Sequence, residues 1–96
     1  MSESGGHGSY VQVRAYAELN DFLPPESRGI TVRRPFRSHQ TVKDVLEAMG
    51  IPHTEVDLIL VNGTPQGFSH RPSVGDRIAA YPMFEALDIG STARLR

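Results

Sequence analysis

The sequence predicts an α+β fold in which a mixed sheet of four to five strands packs on one main helix. Three patterns predict it. Residues 10–17 alternate with period two, as a half-buried strand does. Residues 41–49 carry a single apolar stripe, Val42, Val45, Leu46 and Met49, at helical spacing. The apolar run Leu58-Ile59-Leu60-Val61 ends in Asn62-Gly63, the pair that suits a type I′ hairpin turn because both central residues take positive φ.

The elements follow in order. In the first strand Val11, Val13, Ala15 and Ala17 share one face, and Tyr10, Gln12, Arg14 and Tyr16 share the other. Asn20-Asp21 and Pro24-Pro25 then break the pattern, with Phe22 and Leu23 expected to tuck beneath the loop. Gly29 opens a second strand with Ile30 and Val32 inward, Thr31 and Arg33 outward, and Pro35 at its end or edge. Thr41 is a suitable helix N-cap, and Asp44 completes a capping box with a shorter acid than usual. Gly50 supplies a left-handed residue after the helix, and Pro52 prevents its continuation. Residues 58–61 read as a strand buried on both faces, or nearly so, and residues 66–69 as its short return. Gly75-Asp76 makes a last turn, and residues 77–81 form the final strand, stopped by Pro82. One helix must cover one face of such a sheet, because each element has a single apolar side. Strand, strand, helix, strand, short strand, strand, with the last strand beside the first, is the β-grasp order.

A chain of 96 residues is one domain's worth. The expected organisation is a flexible tail over residues 1–9, rich in Gly and Ser, the domain over 10–87, and a tail or linker start over 88–96. With 39% hydrophobic and 22% charged residues, the composition is globular. The absence of cysteine excludes disulfides, thiolate metal sites and cysteine nucleophiles. No apolar run approaches the ~20 residues of a membrane helix, and residues 1–9 lack a signal-peptide pattern. A cytoplasmic, monomeric domain with no membrane contact is the expectation. A formal net charge of −1 speaks against general nucleic-acid binding, although charge can still cluster locally.

Several phrases match a known group. Thr41-Val42-Lys43-Asp44 at the helix start, Leu60-Val61-Asn62-Gly63 at the hairpin and Gly75-Asp76-Arg77 at the last turn resemble the ThiS/MoaD sulfur carriers. Ala17-Glu18-Leu19-Asn20-Asp21-Phe22-Leu23-Pro24, Pro52-His53-Thr54-Glu55-Val56-Asp57 and Tyr81-Pro82-Met83-Phe84-Glu85 are more similar to one branch, the ubiquitin-like domain found N-terminal to Mut-seven-C proteins. That resemblance implies a ubiquitin-like fold and a partner: a PIN-like ribonuclease domain with a zinc ribbon, linked or separate. The carriers end in Gly-Gly, whereas this sequence ends Ala93-Arg94-Leu95-Arg96, so no acceptor for the carrier chemistry is expected here. The implied role is a non-catalytic interaction module in RNA processing or decay. The alternatives are a sulfur-carrier relative and a direct RNA-binding domain.

No catalytic, cofactor-binding or metal site is expected from the residues. His7, His39, His53 and His70 show no metal-ligand spacing, and Asp44 and Glu47 read as a cap and a solvated charge. Ser69-His70 lacks an orienting acid, and Gly5-Gly6-His7-Gly8 does not join a strand to a helix. Arginine is more informative. Arg28, Arg33, Arg34 and Arg37 crowd ten residues, and period two puts Arg14, Tyr16, Arg33, Arg77 and Tyr81 on the side of the sheet away from the helix. Arginine with aromatic neighbours suits RNA or an acidic protein patch, and tyrosine and arginine are enriched at interaction hot spots. Charge protection of an edge strand is the competing explanation, favoured for Arg34 and Arg37. The expected interaction surface is Arg14, Tyr16, Arg33, Arg77 and Tyr81.

Overall fold

The computed structural model describes residues 9–83, so the expected tail over 1–9 apart from Ser9, residues 84–87 of the expected domain, and the expected tail over 88–96 lie outside the described residues. Five strands form one sheet: β1 (Tyr10–Ala15), β2 (Thr31–Pro35), β3 (Val56–Val61), β4 (Thr64–Pro65) and β5 (Arg77–Pro82). Their spatial order is β2-β1-β5-β3-β4. β1 runs antiparallel to β2 and parallel to β5, while β3 runs antiparallel to both β5 and β4. The helix α1 (Val42–Ala48) covers one face. This is the mixed sheet with one main helix that the sequence predicts.

Alternation does the work in β1 and β5. Val11, Val13, Ala15, Ile78 and Ala80 are at most 1% exposed and meet Val42, Val45 and Leu46 of α1 in one core. Fully burying a valine, leucine or isoleucine side chain contributes about 1.5–3 kcal/mol. Both ends of α1 are secured locally. Thr41 Oγ1 accepts from the Asp44 backbone N–H at 3.2 Å, and Asp44 Oδ2 accepts from the Thr41 backbone N–H at 3.0 Å, completing the capping box. The first two helical N–H groups, of Val42 and Lys43, donate to the carbonyls of His70 and Phe68, so the loop before β5 closes over the helix start. Beyond the C-terminus Gly50 takes φ +93°, as its role requires.

The two turns predicted separately meet in space. Asn62 and Gly63 have φ of +51° and +84°, and the chain turns directly into β4. Asn62 Nδ2 then donates to Asp76 Oδ1, and the Arg77 N–H donates to Asn62 Oδ1, each at 2.9 Å. The hairpin is thereby clasped to the turn that launches β5.

Five details differ from the sequence prediction. The inner face of β1 ends at Ala15, because Ala17 swings to φ +52° and begins a 3-10 turn, Ala17–Phe22. Within that turn Leu19 is buried, whereas Phe22 is 41% exposed. β2 begins at Thr31, two residues after the predicted opening at Gly29, and Ile30, expected inward, is 49% exposed. β3 is not buried on both faces: Ile59 and Val61 face the core, but Leu58 is 39% exposed. A run of four apolar residues does not itself distinguish one buried face from two. The return strand is Thr64–Pro65 rather than 66–69, because the two-residue turn leaves no slack. Among the described residues no helix is long and apolar enough to cross a membrane.

Candidate interaction surface

Strand register determines what lies on the side away from α1. Arg14 of β1 pairs with Thr31 on one side and with Ala79 on the other; Gln12 pairs with Arg33 and Arg77. Across β5, Tyr81 pairs with Leu58 and Ala79 with Leu60. Residues next to one another across strands share a face, so Arg14, Arg33, Arg77 and Tyr81 stand on one surface.

Three of the five expected surface residues interlock. The Tyr16 and Tyr81 rings stack nearly parallel, 7° between planes and 4.4 Å between centroids. The Arg14 guanidinium carbon lies 4.8 Å from the centroid of the Tyr16 ring. Stacked aromatic pairs and cation–π contacts each contribute on the order of 0.5–1 kcal/mol. Partial burial pushes the Tyr81 hydroxyl above its ordinary pKa, and the neighbouring Tyr16, by charge and by hydrogen bond, pushes the same way. Arg33 stands apart from this trio and lies over Tyr10, 4.4 Å from that ring's centroid. Arg77 joins Arg14 along a shallow depression of about 220 Å³ floored by Ala79. Every one of the five residues therefore reaches the open face, in two aromatic–arginine groups with Arg77 between the strands.

The arginine cluster in the sequence does not form one patch. Arg33 points to the open side, while Arg34 pairs with buried Val11 and lines a cleft on the helix side with Arg37 and His39. Arg28 is tied into the loop, its Nε donating to the Leu23 carbonyl at 2.9 Å. Proximity along an extended strand therefore splits between faces.

Two groups escaped the sequence reading. Glu47 does not simply face solvent: its Oε2 accepts from the His53 backbone N–H at 3.3 Å and pairs with His53 Nδ1. The side-chain contact first, and the backbone bond second, hold the Glu47 carboxyl below its ordinary pKa. The His53 ring meets Phe68 edge to face at 5.4 Å, which links the helix end to the loop. Asn20 is a second clasp, donating to the carbonyls of Ala15 and Ala17 and accepting from the Gly29 N–H. Neither partnership has a fixed sequence spacing, so no local pattern announces it. Among the described residues, no group of three or more His, Asp or Glu side chains is arranged to hold a metal ion.

A mixed five-stranded sheet in the order β2-β1-β5-β3-β4 packed on one helix is the β-grasp of ubiquitin-like domains. The chain belongs to the Mut7-C ubiquitin family, whose model matches residues 8–88. Among solved structures it is similar to the small archaeal modifier protein 1 of H. volcanii, at 23% identity and a TM-score of 0.59, covering 78% of this chain and 98% of that one. A second structure, SAMP1 from Haloferax volcanii, matches at 22% identity and a TM-score of 0.61, covering 81% and 99%. At that identity the likeness carries the fold and not the modifier activity. No curated relative matches the chain.

Proposed function

We propose that this domain is a non-catalytic interaction module that docks, through the open face of its sheet, on a PIN-like ribonuclease domain, linked or separate, and so positions or regulates RNA processing. The observation that carries this reading is the surface itself. Arg14, Tyr16 and Tyr81 are interlocked on the side of the sheet opposite the core residues. Arg and Tyr are the types enriched where binding energy concentrates, and side chains already ordered lose little entropy on association. Membership of the Mut7-C family supports the ribonuclease as the partner.

RNA is the second candidate for this face, and the geometry favours a protein. Base stacking needs free ring faces. Here Tyr16 is engaged by both Tyr81 and Arg14, and Tyr10 lies under Arg33. Chemical-shift mapping of the labelled domain with the ribonuclease domain tests the reading. Shifts should concentrate in β1 and β5. Shifts centred on α1 would overturn the assignment of the surface.

A further inference from the structure

We infer that the depression over Ala79 is a receptor for one carboxylate, the side chain of an Asp or Glu carried by the docking protein. The inference rests on the reading of the open face as a docking surface and names the chemistry at its centre.

The site is a consequence of register. Ala79 stands between Arg14 of β1 and Leu60 of β3. Its methyl group is shorter than either neighbour, so the pleat sinks there and leaves a volume of about 220 Å³. Arg14, Arg77, Gln12 and Thr31 line it, and among the described residues no acidic one does. The two cations at this notch are therefore uncompensated by any described residue of its lining.

Arg14 adds a sharper observation. Its Nε is buried and finds no hydrogen-bond acceptor among the described residues. A buried donor left unpaired is costly, and most such groups in folded proteins are satisfied. The guanidinium cannot swing away to water without leaving the ring of Tyr16, which Tyr81 holds in turn. Its plane is thus fixed: Nε is enclosed, and the rest of the guanidinium lines the notch with no acceptor among the described residues. A carboxylate is the group whose two oxygens match a guanidinium edge, and charged hydrogen bonds of that kind are the strong ones. Arg77 supplies a second positive charge at the same notch.

Size separates a carboxylate from a nucleotide. Pockets that enclose whole small molecules are roughly 300–1,000 Å³. The notch lies below that range, which suits an acidic side chain better than a base with its sugar.

The test uses the isotope-labelled domain and three probes at physiological ionic strength: a capped tetraglutamate peptide, its tetraglutamine counterpart and an oligouridylate. The readout is the Arg14 Nε–H resonance alongside the backbone amides. Tetraglutamate should shift that resonance saturably, and tetraglutamine should not. Arg14→Lys keeps the charge but loses the fork, and it should weaken tetraglutamate binding about tenfold or more. Ala79→Leu fills the notch with all charges intact and should abolish the Arg14 response; the amide spectrum reports whether that variant keeps its fold, and Arg14→Lys decides the matter if it does not. An unmoved Arg14 resonance, or undiminished binding by Arg14→Lys, overturns the proposal. So does tighter binding of oligouridylate at the same resonances, which assigns the notch to nucleic acid. Docking of the ribonuclease domain unaffected by Ala79→Leu leaves the interaction module standing and removes only the carboxylate. Tetraglutamate binding at Arg14 without ribonuclease docking does the reverse.

Discussion

The two faces of the sheet are built from the same strands and have opposite chemistry. Towards α1, β1 and β5 present Val11, Val13, Ala15, Ile78 and Ala80, all at most 1% exposed, and none carries a polar side-chain atom. One residue away along each strand, the other side presents Arg14, Arg77 and Tyr81. On the inner face energy comes from water exclusion and close packing, and it is non-directional. On the outer face it comes from directed contacts, a guanidinium over a ring and ring on ring, which specify geometry more than they add stability. On the proposed docking reading the difference separates folding from recognition: the inner face should tolerate little change without unfolding, and the outer face should tolerate large changes in charge at the expense of the proposed partner's binding.

The largest effect expected is on the inner face. Leu46 is fully buried beneath the sheet. Leu46→Ala should destabilise the domain by about 2–5 kcal/mol through lost transfer energy and the cavity left behind. That is a large part of the total stability of a small domain, and a urea midpoint is the measurement. An unchanged midpoint would break the contrast between the faces at its strongest point.

Smaller effects belong to the clasps around the sheet. Asn20→Ala removes three hydrogen bonds that join the end of β1 to Gly29, and it should cost about 1–3 kcal/mol on the same urea scale. Its effect should fall between those of the two faces, since one of the three bonds is part-buried and the other two are exposed.

Glu47→Gln gives a pH-dependent effect. Glu47 is held below its ordinary value of 4.5 by His53, so its stabilisation is present above that pH. It is lost as the pH falls through the depressed folded-state value, where the carboxyl gains its proton in the native protein also. The stability difference between Glu47 and Glu47→Gln should therefore be greatest near neutrality and shrink in acid, as thermal melts across a pH series would show. A difference that is constant with pH would assign the role to packing rather than charge.

What could be read in the sequence follows from the range of each interaction. Alternation in β1, the capping box of Thr41 and Asp44, and the Asn62-Gly63 turn are set within a few residues, and each formed as predicted. The open-face set was equally accessible, because period two decides the side of every residue once α1 is placed. Ile30 and the start of β2 were misplaced because the register of an edge strand depends on its single neighbour, β1. The run 58–61 hid its solvent side because Leu58, which pairs with Tyr81 on the open face, is as apolar as its core-facing neighbours. Leu19 and the Glu47–His53 pair depend on how a 3-10 turn and a helix end fold back, which no periodicity encodes. The notch over Ala79 needed register on three strands at once.

The separation of the two faces is tested most directly by one variant measured two ways. Arg14→Glu combined with Arg77→Glu reverses the charge around the Ala79 notch and leaves every core residue in place. The account predicts a folded variant that loses less stability in urea than Leu46→Ala does, since Arg77 is exposed and half-buried Arg14 gives up one cation–π contact of about 0.5–2 kcal/mol. It predicts, in the same preparation, loss of calorimetrically measured binding to the ribonuclease domain. Binding that survives at parental affinity in a folded double variant would contradict the account.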